Sequence, residues 1–165
     1  MRVIITFCIT LILLVSCTND VTIDQQWLED NYTKREVMIP MRDGIKLYTS
    51  IYEPDDAQER PVLIVRTPYS CAPYGEGWKG DLTEYMQEFL KNHYVIALQD
   101  VRGRYMSEGQ YVNVRPYIPH KSDNETDEAS DTYDTIEWLI SNTDNNGSVG
   151  VTGMSYPVLD ATTAA

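Results

Sequence analysis

The chain has 165 residues, which suits one domain of ordinary size, and its 42% hydrophobic and 23% charged content excludes disorder over most of that length. Lys and Arg number 13 against 25 Asp and Glu, a net charge of −12. With no basic stripe to offset it, that charge excludes nucleic-acid binding, and 2 His with 3 Cys leave little material for a His/Cys metal site.

Met1 and Arg2 precede an apolar run over residues 3–15, the pattern of a secretory signal with one positive charge and a hydrophobic stretch. The run is short for a spanning helix, which needs ~20 apolar residues. It ends in Leu14-Val15-Ser16-Cys17, which resembles the lipobox of bacterial lipoproteins, in which the cysteine becomes the lipidated first residue. Residues 1–16 are therefore expected to be a lipoprotein signal peptide, with Cys17 lipidated. The protein would be exported and membrane-anchored on the periplasmic or cell-surface side. Residues 17–33 read as a tether, with one possible helical turn around Gln26-Trp27-Leu28. Cys8 leaves with the signal and Cys17 carries lipid, so Cys71 remains alone and no intramolecular disulfide can form.

A single patterned domain is expected over residues 34–165. β-rich runs at residues 35–41 and 45–52 flank Arg42-Asp43-Gly44, a strong hairpin signal. Residues 61–67 form a nearly continuous apolar run, which suits a strand buried on both faces. Leu82, Tyr85, Met86, Phe89 and Leu90 then recur at helical spacing. A second buried strand covers residues 94–98. Asp127 and Glu128 suit the N-terminus of a second helix over roughly 127–141, with Ala129, Tyr133, Ile136 and Ile140 as its apolar stripe. The acidic stretch 123–128 lacks the ligand spacing and glycine turn of a calcium loop. Residues 148–152 form a third short buried strand. A hairpin followed by alternating strands and helices predicts an α/β fold with a parallel sheet.

Gly153-Met154-Ser155-Tyr156 falls at a strand-to-helix junction, the setting of a nucleophile elbow. Position 157 is proline, so the G-x-S-x-G pattern is not met. Four stretches together resemble the N-terminal part of the X-prolyl dipeptidyl-peptidase and cocaine-esterase (CocE/NonD) family of α/β-hydrolases. That family includes the α-amino-acid ester hydrolases and the glutaryl-cephalosporin acylases. The stretches are Ile39-Pro40-Met41-Arg42-Asp43-Gly44, Arg66-Thr67-Pro68-Tyr69, the run from Gln99-Asp100-Val101-Arg102-Gly103-Arg104 to Gly109, and Gly150-Val151-Thr152-Gly153-Met154-Ser155-Tyr156-Pro157. Tyr133-Asp134-Thr135-Ile136-Glu137-Trp138-Leu139 matches the family's helix before the elbow.

The resemblance implies Ser155 as the acyl-forming nucleophile, the Tyr69 phenol as an oxyanion donor and the Tyr156 backbone N–H as the second donor. It implies no cofactor and no metal, and a small ester, amide or peptide as substrate. Asp100 and Arg102 read as an ion pair or loop brace. The amino-acid ester hydrolases hold a substrate ammonium with acidic residues near the oxyanion tyrosine. Ser70 and Cys71 stand there in this chain, which argues against a strict requirement for a free α-amino group.

An α/β-hydrolase triad runs in chain order Ser, acid, His. Asp160 is the only acid after Ser155 and is too close to serve, while His93 and His120 precede the serine. Val158 also replaces the glycine that the family carries three residues after its serine. The expectation is a fragment of a lipid-anchored serine hydrolase; the alternative is an exported, inactive truncated protein.

Overall fold

The computed structural model describes residues 22–113, 115–122 and 124–153. Cys17, Ser155 and Tyr156 lie outside the described residues.

Helix α1 (Gln25–Asn31) starts at Asp24, whose carboxylate accepts the Trp27 N–H at 2.8 Å. Ile23 and Leu28 are buried, so residues 22–33, read above as part of a tether, belong to the packed fold. The apolar residues of α1 are what hold it down, and the polar ones around them hide that signal in the sequence.

Strands β1 (Tyr32–Pro40) and β2 (Lys46–Pro54) form the expected hairpin, paired from Tyr32↔Pro54 to Pro40↔Lys46. Gly44 sits in the turn at φ +85°, a conformation glycine adopts without steric cost. β3 (Arg60–Thr67) and β4 (Val95–Asp100) pair in parallel, and β5 (Asn145–Val151) runs parallel to β3. The sheet order is β1-β2-β4-β3-β5.

Both faces of the sheet are covered. Leu63, Ile96 and Leu98 join Leu28, Tyr32, Leu82 and Leu90 on the face that carries α1 and the short helices α2 (Leu82–Tyr85) and α3 (Gln87–Lys91). Val62, Ile64, Val95 and Ala97 meet Leu139 of helix α4 (Glu128–Asn142) on the other. Alternate strand residues thus enter opposite cores, which is why β3 and β4 read as unbroken apolar runs. β5 differs from the buried strand expected: none of its residues is buried, and among the described residues it pairs with β3 alone.

The helix expected over residues 82–90 is interrupted at Met86 (φ −113°, ψ 13°), yet Leu82 and Leu90 still bury on one side. A larger correction concerns α4. Tyr133 and Ile140 of its expected apolar stripe are exposed, while Glu128, Asp131, Thr132, Thr135 and Leu139 are buried. The physical reason lies in the sheet: Thr49, Arg66 and Gln99 present a buried polar layer, and α4 turns matching polar side chains toward it. Arg66 donates from Nε to Gln99 (2.8 Å) and from Nη1 to Thr132 (2.8 Å) and Glu128 (3.1 Å). Gln99 Nε2 donates in turn to Thr49 and Thr135.

The N-terminus of α4 closes in a capping box between Asp127 and Ser130. Burial alone would raise the Asp127 carboxyl, but the N–H groups of Ile118 and Ser130 and the Lys121 ammonium outweigh it and hold it at about 2. A depressed folded pKa stabilises above the unfolded value near 4, and that contribution is lost as pH falls toward 2. Asp127→Ala should cost about 1–2 kcal/mol near neutral pH, the range for a lost N-cap. In chemical denaturation at pH 7 and pH 2.5, the gap between wild type and variant should narrow at the lower pH.

Candidate active site at the carboxyl ends of β3 and β5

β3 continues through α2 and α3 to β4 on one side, whereas β4 continues through α4 to β5 on the other side of β3. The two crossovers therefore run in opposite senses across the sheet, and a crevice at the carboxyl ends of its parallel strands is where open α/β sheets bind ligands. The Thr152 N–H still donates to Ile64 O at 2.9 Å, which carries the pairing to the edge of that crevice.

A cleft of about 510 Å³ opens there. Thr67, Tyr69, Ser70 and Cys71 from the loop after β3 line it, with Thr152 and Gly153 from the end of β5. Val65 and Leu98 of the sheet and Leu82, Tyr85, Met86 and Phe89 of α2 and α3 give it an apolar wall. The structure thus brings two of the stretches singled out in the sequence, Arg66–Tyr69 and Gly150–Gly153, to one place. Ser155 follows Gly153 by two residues.

The loop carrying Tyr69 is built on Asp100. The buried Asp100 carboxylate accepts the Cys71 N–H and the Tyr74 hydroxyl, each at 2.8 Å, and the Met106 N–H at 3.3 Å. The expected Asp100–Arg102 pair is not made. Arg102 instead donates to Asp131 (2.7 and 3.0 Å) and to Asp43 (2.6 and 3.2 Å), joining the loop after β4 to α4 and to the hairpin turn. The two residues point to opposite faces of the sheet, as neighbours of even spacing do not but loop residues can, so each braces a different partner.

Burial, with the adjacent Asp100 charge, pushes the Cys71 thiol well above its ordinary range. A neutral, buried thiol is a poor nucleophile. Burial also pushes the Tyr74 phenol up to about 12, against the lowering effect of the Ser70 hydroxyl. Lys79 and Asp81 pair across the rim at 3.3 Å. No group of three or more His, Cys, Asp and Glu side chains among the described residues could hold a metal ion.

His93 sits just before β4, at the end of the strand opposite the cleft, with Nδ1 3.0 Å from Asp56. His120 is exposed in the loop between β4 and α4. Neither is brought to the cleft. Sequence reasoning singled out Asp100 as an ion-pair member or loop brace, and the brace is what the structure shows; it did not find Tyr74, which carries no local signal.

The sheet order and the cleft at the carboxyl ends of β3 and β5 are those of the N-terminal part of an α/β-hydrolase fold. The chain belongs to the X-Pro dipeptidyl-peptidase (S15) family, whose model matches residues 43–165. It is similar to the cocaine esterase of Rhodococcus sp. (strain MB1 Bresler), with 35% identity over 130 residues that make up 78% of this chain and 20% of that protein. Among solved structures, an α-amino acid ester hydrolase is 41% identical with a TM-score of 0.71, covering 81% of this chain and 23% of its own. An aminopeptidase from the marine sediment archaeon Thaumarchaeota archaeon is 38% identical with a TM-score of 0.72 and the same coverage, 81% and 23%. A CocE/NonD family hydrolase from Staphylococcus aureus, 21% identical with a TM-score of 0.57, covers 78% of this chain and 24% of its own and shares the fold. The chain thus spans about a fifth to a quarter of these relatives.

Proposed function

We propose that this chain carries the nucleophile and oxyanion site of a serine hydrolase that cleaves small ester, amide or X-Pro peptide substrates by acyl transfer through Ser155. The observation that carries the reading is the shared cleft: Tyr69 and Gly153 line it together. Ser155 follows Gly153 by two residues, a span of at most ~7 Å of backbone.

In the acylation step, Ser155 Oγ bonds to the substrate carbonyl carbon and its proton passes to a general base. The carbonyl oxygen becomes an oxyanion that the Tyr69 hydroxyl and the Tyr156 N–H hold by donating to it. Collapse breaks the bond to the leaving group, which takes the proton, and water then repeats the sequence on the acyl-enzyme. His93 and His120 lie away from the cleft, so neither serves as that base. With Ser70 and Cys71 beside Tyr69 in place of acidic residues, the cleft imposes no strict requirement for a substrate α-ammonium.

The test is an activated-ester assay on the complete gene product that carries this chain, beside its Ser155→Ala variant. Turnover should fall by about 10⁶-fold, as when a serine nucleophile is removed. The 165-residue chain alone should show no Ser155-dependent turnover, because a serine hydroxyl without a base is a weak nucleophile. Equal hydrolysis with and without Ser155 removes the assignment.

For the address, the reading rests on Leu14-Val15-Ser16-Cys17. Cleavage before Cys17 and attachment of several acyl chains would anchor the protein, since stable anchoring takes more than one chain. No helix among the described residues is long and apolar enough to cross a membrane. Metabolic labelling with a fatty acid should mark the protein, and Cys17→Ser should abolish the label; a label that survives the substitution refutes the lipid anchor.

A further inference from the structure

The Tyr69 turn is held at two points, by the last residue of β4 and by the loop that follows it. On its N-terminal side, Arg104 Nε donates to the Pro68 carbonyl at 3.0 Å. On its C-terminal side, the Asp100 carboxylate accepts the Cys71 N–H and the Tyr74 hydroxyl. Only Tyr69 and Ser70 lie between the two pinned positions, and Ser70 sits at φ +93°, a backbone conformation that costs a non-glycine residue and persists only when its surroundings enforce it. Tyr69 is 61% exposed, and the backbone on both sides of it is fixed by these contacts.

The loop that follows β4 is itself rigid. The Arg104 guanidinium lies between two tyrosine rings, 5.1 Å from the Tyr105 centroid and 4.9 Å from that of Tyr111, an arrangement that fixes a cation by its attraction to the ring faces. Gly103 takes φ +70°, and a Cβ there would stand 2.1 Å from the Tyr111 backbone nitrogen, so only glycine lets the loop close. The loop is tied back to β2 as well: the Glu108 N–H donates to Lys46 O at 3.0 Å, and the Tyr48 N–H donates to Ser107 Oγ at 2.8 Å.

We propose that the end of β4 and the loop after it form a two-point clamp on the oxyanion tyrosine, with Arg104 and Asp100 as positioning residues that set where the Tyr69 hydroxyl points. The proposal rests on the hydrolase reading for its consequence in turnover, and on geometry alone for the clamp. Neither residue touches the reacting atoms; each acts through the backbone on either side of Tyr69. The role also accounts for the separate partners of Asp100 and Arg102: Arg102 fastens the loop to α4 and the hairpin turn, leaving Asp100 and Arg104 to hold the turn.

The experiment reads the clamp in two ways on the complete gene product. First, 3-fluorotyrosine is placed at position 69 and its fluorine resonance recorded. Arg104→Met keeps most of the side-chain volume and removes the donor to Pro68. Asp100→Asn keeps an acceptor for the Cys71 N–H but cannot accept from all three of its present donors. Both should shift or broaden the resonance while the melting transition stays cooperative, and Arg104→Lys, which retains a donor, should recover part of the wild-type signal. An unchanged resonance in both Arg104→Met and Asp100→Asn overturns the clamp. Second, ester turnover is measured in a double-mutant cycle with Tyr69→Phe. Arg104→Met should lower kcat by about 10²-fold with KM within about twofold, the scale expected when a catalytic group is misplaced by about 1 Å. In the Tyr69→Phe background the same substitution should cost less than about threefold, because the group it aims is gone. Fully additive losses, as a merely structural role would give, overturn the proposal. A fluorine response without Ser155-dependent turnover supports the clamp and refutes the hydrolase reading, so the two failures are told apart.

Discussion

Asp131→Ala should destabilise the fold by about 3–5 kcal/mol, the cost of leaving buried charge uncompensated. Three guanidinia, Arg66, Arg102 and Arg115, meet three carboxylates, Asp43, Glu128 and Asp131, between the sheet and α4. Asp131 is the carboxylate all three share. It is 2.7 Å from Arg102, 3.3 Å from Arg115 and 3.9 Å from Arg66, and its side chain is fully buried. Arg66 is fully buried too, and its Nη2 has no hydrogen-bond partner among the described residues, so the attraction of Asp131 is what offsets the desolvation of that end. Removing Asp131 leaves an excess positive charge in the layer and strips two hydrogen bonds from Arg102. Against a typical domain stability of about 5–15 kcal/mol this is a large fraction. Asp131→Asn, which keeps an acceptor oxygen for Arg102, should cost less. Denaturant midpoints for the two variants check both the size and the order; a loss below about 1 kcal/mol for Asp131→Ala would show that the ion network contributes little.

That network marks the boundary of what could be read from the sequence. The hairpin was legible because Asp43-Gly44 between two β-rich runs has one local solution, and β3 and β4 were legible because strands buried on both faces leave continuous apolar runs. The face of α4 was not. Its buried residues Glu128, Asp131, Thr132 and Thr135 also recur at helical spacing, but polarity disguises them, and only the partners on β3 and β4 show which stripe turns inward. Arg66 reads as the polar end of a strand until Thr132 and Glu128, more than 60 positions away, are brought against it. α1 was blurred in the same manner, since two buried residues among charged and amide neighbours give no clear period. At the site, Tyr69 could be singled out only by motif, because an exposed tyrosine after a proline has no distinguishing local physics. Its supports, Arg104 and Asp100, lie some 30 positions further along and meet it through the parallel pairing of β3 with β4. Sequence reasoning reached the elements and missed the polar contacts between them, which depend on tertiary placement.

Tyr69→Phe should lower kcat for an activated ester by ~10²–10³-fold in the complete gene product, the usual cost of one oxyanion donor. The substitution removes a hydroxyl and leaves the ring, so the cleft wall formed with Ser70 and Cys71 keeps its shape. The hydrogen bonds from the Tyr69 N–H to Thr67 Oγ1 at 3.0 Å and from the Cys71 N–H to Asp100 use backbone donors that Tyr69→Phe leaves in place. The distribution of the loss between constants is informative. A donor that strengthens only as negative charge develops on the carbonyl oxygen lowers kcat and kcat/KM together, whereas a contact made equally to bound substrate would raise KM and spare kcat. Steady-state kinetics of Tyr69→Phe beside Ser155→Ala separates these cases. Loss confined to KM would assign Tyr69 to substrate binding, and wild-type kcat in Tyr69→Phe would remove it from the oxyanion site altogether.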